Sequence, residues 1–146
     1  TQSRSSAASD VYKRQPLESV AINNFENNSI DDPELKLRVE KLYDSSPEFA
    51  TGRDAVAFFE KAFAKGDILY LGMFNEKPIA AIGCFNEGIE SSRLLQYIVL
   101  HPANRGRGLA PKFVKQVTDI ERKKGNTKFV PGCGAIHRIL AMYELI

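Results

Sequence analysis

Apolar positions along the chain fall into blocks whose spacing changes from helical to strand-like and back. Val20-Ala21-Ile22 is short and unpunctuated, a first strand. Leu35, Val39 and Leu42 then recur at helical spacing; Ser29 to Asp32 supplies N-cap candidates, Pro33 fits a first helical turn, and Ser45-Ser46-Pro47 breaks the pattern. Thr51 or Asp54 opens a second helix, with Val56, Phe59 and Phe63 on one side and Gly66 as the stop. Two strand-like runs follow, Asp67 to Phe74 and Pro78 to Phe85, joined by the turn Asn75-Glu76-Lys77. They read as an antiparallel hairpin, apolar on both faces and therefore covered by helices. Arg93 to Leu100 is a third strand after a polar loop. From Gly108 a helix carries Leu109, Phe113, Val117 and Ile120 inward, with Lys112, Lys115 and Asp119 off that stripe, and Gly125-Asn126 ends it. Lys128 to Val130 is a strand stopped by Pro131-Gly132, and Ala135 to Ile146 is a last helix.

The predicted order is β-α-α-β-β-β-α-β-α. Middle strands pair as a meander and one later strand returns after a crossover helix, so the expected class is α+β, or mixed α/β, with helices on both faces of one sheet. Residues 1–15 are polar and Ser/Ala-rich with no apolar period, and Ser5 to Gln15 looks like a translated adapter sequence. They are set aside as a disordered or non-native leader, leaving 16–146 as a single domain. The last helix runs into Met142-Tyr143-Glu144-Leu145-Ile146 without a Gly, Asn or Pro stop, from which a C-terminal truncation is expected.

Composition narrows the function. The 146 residues suffice for one core. Twenty basic residues against 18 acidic give a net charge of +2, no basis for a general nucleic-acid surface. The longest apolar runs fall far short of the roughly 20 residues of a membrane helix, and the polar first residues lack the apolar stretch of a secretory signal; a cytoplasmic protein is expected. Two cysteines, Cys84 and Cys133, make neither a disulfide framework nor a metal cluster.

The segment with chemistry is Leu100-His-Pro-Ala-Asn-Arg-Gly-Arg-Gly-Leu-Ala-Pro111, between a strand and a helix. Gly106 and Gly108 let main-chain N–H groups approach a ligand closely, and the first N–H groups of the helix have no internal partner. Such a helix start is an anion site suited to a phosphate or pyrophosphate. Arg105 and Arg107 add formal charge there. Each hydrogen bond to a charged group is worth about 1.5–3 kcal/mol, so three or four converging donors are needed. The segment is no P-loop, lacking Gly-Lys-Ser/Thr, and no dinucleotide fingerprint, since Pro111 stands where a third glycine would be.

Arg105-Gly-Arg-Gly108-Leu-Ala110 resembles the Gln/Arg-x-x-Gly-x-Gly/Ala signature of the GNAT (Gcn5-related N-acetyltransferase) superfamily, and the likeness extends over roughly Asp67 to Ile146, with the two earlier helices matching the family's usual pair. The resemblance implies a mostly antiparallel twisted sheet with helices on both faces and its C-terminal strands missing. It implies acetyl-CoA as acyl donor and a primary amine as acceptor. The main chain of Ile98, Val99 and Leu100 would pair with pantetheine amides, and the N–H groups of Arg105, Gly106, Arg107, Gly108, Leu109 and Ala110 would hold the pyrophosphate. Pro111 departs from the pattern by lacking an N–H. Ala141 to Ile146 looks like the family's Tyr-Glu-Lys-Leu-Gly-Phe helix end, which puts Tyr143 on its usual general acid, while Ile136 and His137 stand where relatives often carry a cofactor-contacting Asn.

Plainer roles compete at several positions. His101 suits turn capping better than base catalysis, His137 and a covalent acyl-Cys133 are weak candidates, and Phe58, Phe59 and Phe63 are expected in the core. The strand before the loop carries Gln96 and no carboxylate, leaving Glu87 and Glu90 as bases acting through water. The segment Phe74 to Ile82 weakly resembles the GNAT-like maturation factors of aspartate decarboxylase, which implies an alternative: an acetyl-CoA-binding regulator of a protein partner, without turnover.

Overall fold

The structure is a computed structural model that describes residues 17–146; the leader expected over residues 1–15 lies outside them. The described chain runs β1 (Glu18–Ile22), α1 (Leu35–Asp44), α2 (Gly52–Ala64), β2 (Ile68–Phe74), β3 (Lys77–Phe85), β4 (Ser92–Leu100), a 3₁₀ turn (Pro102–Asn104), α3 (Leu109–Lys123), β5 (Lys128–Pro131) and α4 (Gly134–Met142). The strands form one sheet in sequence order, antiparallel from β1 to β4, with β5 parallel to β4. This is the mixed α/β class expected from the sequence.

Because β2 and β3 are apolar on both faces, each face of the sheet builds a core. On one side α1 and α2 bring Leu35, Val39, Tyr43, Val56 and Phe59 onto Leu69, Leu71 and Ala81. On the other, α3 and α4 bring Phe113, Val117, Ile136 and Leu140 onto Tyr70, Ile82 and Leu95. The β2–β3 turn places Asn75 at φ 51° and Glu76 at φ 65°, the doubly left-handed turn whose twist matches paired strands.

Element ends show where local chemistry decided. Thr51, not Asp54, caps α2: its hydroxyl accepts the Asp54 N–H at 3.1 Å. The first helix begins at Leu35 rather than at Pro33, because Asp32 turns the chain back by accepting the Glu34 N–H on its carboxylate and the Leu35 N–H on its carbonyl. Helix α4 stops at Met142, earlier than the apolar pattern predicts. Glu144 takes φ 58°, its N–H reaches the Ala141 carbonyl, and the Leu145 N–H reaches the Leu140 carbonyl, the bond pair of a Schellman stop.

Candidate functional site

The site originates in a defect of β4. Ala81 faces Val99 and Gly83 faces Gln96, so Ile82 alone opposes both Tyr97 and Ile98. This is a β-bulge, and Tyr97 sits in it at φ 63°. A tyrosine in that conformation costs about 1–3 kcal/mol and must be held. The buried Tyr43 hydroxyl donates to the Tyr97 carbonyl at 2.6 Å, and the Tyr97 ring packs on Phe49 at 4.9 Å and Phe58 at 5.1 Å. Burial pushes the Tyr43 phenol well above its ordinary pKa, so it remains a donor. Gly83, under the bulge, has no room for a side chain: a Cβ there would lie 2.5 Å from the Phe85 ring.

Beyond the bulge the last two strands part. Parallel pairing runs from Ser92–Lys128 to Leu95–Pro131 and closes with the Gly132 N–H on the Leu95 carbonyl at 2.8 Å. Gly132 then turns the chain into α4, while β4 continues alone to Leu100. A Cβ on Gly132 would meet the Gln96 side chain at 2.6 Å, so the parting point is tightly packed. The His101 N–H bonds back to Ile79 of β3 at 2.7 Å. By strand alternation, the main-chain groups of Ile98 and Leu100 face the other way, into the gap.

The gap is an open cleft of about 460 Å³. Its walls are Ile98, Val99 and Leu100 of β4, Arg105, Gly106 and Gly108 of the loop, Leu109, Ala110 and Pro111 of α3, Ala135 and Ile139 of α4, and Ser45-Ser46-Pro47 between the first helices. Gly106 and Gly108 hold φ of 76° and 73°, with no atom within 4 Å of where a Cβ would stand. Glycine is therefore required for conformation rather than for space inside the protein, and the open side is left to a ligand. Among the described residues, no protein acceptor takes the N–H groups of residues 106 to 110. They lie at the positive end of the 15-residue helix α3.

Of the residues expected to bind the cofactor or donate the proton, the structure gathers all but Arg107 and Tyr143 on this cleft. Arg107 is exposed and does not line it. Tyr143 is half-buried at the end of α4, with the Lys115 ammonium 5.9 Å from its ring centre; it is not a wall residue, but it lies one helical turn beyond Ile139, which is. Arg105 does line the cleft and is also a strut: its Nε donates to the Leu100 carbonyl at 3.1 Å and its terminal nitrogen to the Ser45 hydroxyl at 2.9 Å. His101 caps the 3₁₀ turn, its Nδ1 accepting the Ala103 N–H at 3.1 Å. Cys133 is the N-cap residue of α4 and half-buried, while Glu87 and Glu90 are exposed in the loop before β4. Phe59 is in the core, Phe63 packs half-buried against it, and Phe58 is 37% exposed. Sequence reasoning treated Ser45-Ser46-Pro47 only as a helix breaker and missed it as a wall; nothing local marks it, since the loop it meets is some sixty residues away in sequence.

Among the described residues, no helix is long and apolar enough to cross a membrane, and no three His, Cys, Asp or Glu side chains are grouped to hold a metal. No protein-family profile and no curated protein sequence matches the chain. Solved structures do. A ribosomal-protein-alanine N-acetyltransferase from Brucella melitensis biovar Abortus 2308 superposes with TM-score 0.62 at 12% identity over 90% of each chain. A Desulfovibrio desulfuricans protein assigned to the GNAT family gives 0.59 at 13% identity over 88% of this chain and 82% of that one. An aminoglycoside 6′-N-acetyltransferase complexed with coenzyme A gives 0.59 at 14% identity; the match covers 69% of this chain and spans 56% of that longer protein. The bulged, splayed sheet between two helix layers is the GNAT acetyltransferase fold.

Proposed function

We propose that the chain binds acetyl-CoA in the β4–α3 cleft and transfers the acetyl group to a primary amine. The observation that carries this is the run of N–H groups from residue 106 to residue 110, left without protein acceptors at the start of α3, with open space beside Gly106 and Gly108. Four or five such donors, at about 1.5–3 kcal/mol each to a charged acceptor, are enough to offset the desolvation of a pyrophosphate. The gap-facing amides of Ile98 and Leu100 supply the complementary edge for the two amides of a pantetheine arm. The coenzyme A bound by the aminoglycoside acetyltransferase of the same fold supports the reading.

In this reading the gap presents the thioester carbonyl to the amine. The amine nitrogen forms a bond to that carbon, the carbon–sulfur bond breaks, and the Tyr143 phenol, one turn beyond the wall residue Ile139, protonates the departing thiolate. The amine gives up its proton to water, since among the described residues no carboxylate or imidazole lines the cleft.

That same absence favours a second reading, in which acetyl-CoA is bound as a signal for a protein partner and not consumed. Calorimetry with acetyl-CoA, followed by thiol release in the presence of a broad panel of amines, tests both. Binding with amine-dependent thiol release is expected. Binding with no release from any amine selects the regulator, and no binding sinks both.

A further inference from the structure

Helix α2 carries an aromatic ring that it does not bury. Phe59 lies in the core, but Phe58 is 37% exposed, the one aromatic among the exposed large apolar side chains of the described residues. A single exposed apolar residue needs no explanation. This one has company: its ring centre lies 5.6 Å from that of Phe49, 5.1 Å from that of Tyr97 and 6.0 Å from that of Phe85. These are the separations of favourable ring contacts. Phe49 and Tyr97 are themselves only half-buried, so the three rings of residues 49, 58 and 97 form a partly open aromatic ledge.

The ledge begins where the acyl gap ends. Tyr97 is the bulge residue next to Ile98, and Phe49 stands two places beyond Pro47; Ile98 and Pro47 are both walls of the cleft. The intervening turn is held folded, with the Ser46 N–H on the Tyr43 carbonyl at 2.9 Å and the Glu48 N–H on the Ser46 hydroxyl at 3.2 Å, so the surface is preorganised. Between Pro47 and Phe49 comes Glu48, the one carboxylate between α1 and α2. It is exposed and makes no ion pair among the described residues. Its charge is felt at the bulge: after burial, it is the further cause that raises the phenol of Tyr43, whose hydroxyl is bonded to the Tyr97 carbonyl.

An amine that attacks a thioester in the gap carries its substituent out over whatever borders the gap. An aminosugar or a polyamine calls for several carboxylates and hydrogen-bonding groups, whereas this border offers one carboxylate and three rings. We propose that the acceptor is a primary amine bearing an aromatic group on a short linker, its ring laid against Phe58 and Phe49 and its ammonium drawn in by Glu48 before it yields its proton to water. The inference rests on the acetyl-transfer reading above and deepens it by naming the acceptor class.

The test is thiol release from acetyl-CoA with phenethylamine, propylamine and spermidine, each rate expressed per neutral amine, in the wild type and in F58A, F58Y and E48Q. For the wild type, kcat/KM with phenethylamine is expected to exceed that with either other amine by roughly tenfold or more, the worth of one ring contact at an open site. F58A is expected to bring the ratio of phenethylamine to propylamine close to one and F58Y to keep it; a substitution that merely disturbed the fold would lower both amines and leave their ratio. E48Q is expected to raise KM for both amines severalfold and to leave the ratio as it is. Comparable efficiency with all three amines, a preference for spermidine, or an aromatic preference that survives in F58A would overturn the assignment, and an unchanged KM in E48Q would overturn the part given to Glu48. Acetyl-CoA bound with no thiol release from any amine of the broad panel would overturn the transfer reading itself, and this assignment with it.

Discussion

Gly108 holds φ 73° at the head of α3, with its Cα face open. Valine there would meet no protein atom, yet it would force a β-branched residue into the left-handed region, at about 1–3 kcal/mol, and project a branched side chain toward the amides. Gly108→Val should therefore abolish acetyl-CoA binding while the far-ultraviolet circular dichroism stays native; an unchanged dissociation constant by calorimetry would show that the ligand lies elsewhere. A second residue-scale case is Glu121, 1% exposed in α3. Burial alone would raise its pKa. Hydrogen bonds from the Tyr70 hydroxyl, from the Asn126 amide at 2.8 Å and from the Lys124 ammonium at 3.2 Å prevail and hold it below the ordinary carboxylate value. A carboxylate depressed by folding stabilises above its unfolded pKa and loses that stabilisation as pH falls through its folded one. Glu121→Gln should cost about 2 kcal/mol at pH 7, and the difference from wild type should shrink as the medium is acidified below about pH 4. Urea melts across that range measure it; a constant offset would count against an ionised Glu121. Its neighbour Cys84 is pushed up to about 12, chiefly by burial, so it should resist alkylation in the native state.

At the scale of elements, α1 and α2 approach so closely that a Cβ on Gly52 would lie 1.7 Å from the Glu40 carbonyl oxygen. Gly52→Ala must drive the helices apart and is expected to cost about 3 kcal/mol in chemical denaturation. Because α1 carries Tyr43 and ends at Ser45, it should weaken cofactor binding as well. At the end of α4, Tyr143→Phe keeps the ring that Lys115 overlies and removes only the hydroxyl. A loss of about 10²–10⁴ in kcat with little change in KM for acetyl-CoA is the outcome expected of a proton donor; an unaltered kcat would reduce Tyr143 to packing. The elements themselves were legible from the sequence, since periodicity, Thr51, Gly66 and Gly125 act locally. What was not legible depends on distant partners. Arg93 to Leu100 reads as an uninterrupted apolar strand, and nothing in tyrosine marks residue 97 for a bulge that Tyr43 and Phe49 stabilise from fifty positions away. Glu121 extends the inward stripe four places beyond Val117, but its charge reads as solvated until Tyr70 is brought over it by the sheet. The loop from Arg105 to Ala110 was legible because its chemistry is carried by main chain and glycine within six consecutive residues.

Across the whole molecule, two cores grip the sheet from opposite faces and the cleft opens only where β4 and β5 separate. A ligand in that opening touches α3, α4, β4 and the α1–α2 turn together, so binding and global stability must be linked. With acetyl-CoA at a hundredfold excess over its dissociation constant, linkage adds about 2.7 kcal/mol. A rise of several degrees in melting temperature is expected for the wild type, and none for Gly108→Val. A wild-type midpoint indifferent to the ligand would contradict a site that bridges both layers.

The donors at the mouth of α3 belong to the polypeptide itself, and that has a genetic consequence. Exchanging one side chain for another leaves an amide hydrogen in place, so an alanine scan through Arg107 and Leu109 would pass over the feature with muted phenotypes, and alanine at Arg105 would report its strut to Leu100 and Ser45 instead. Only imino acids delete such a hydrogen, as Pro111 already does one step further along. Proline at Leu109 or Ala110, in the first helical turn, is the mutagenesis able to make the hidden hydrogens visible, whereas at Gly106 and Gly108 the positive φ would break the loop itself.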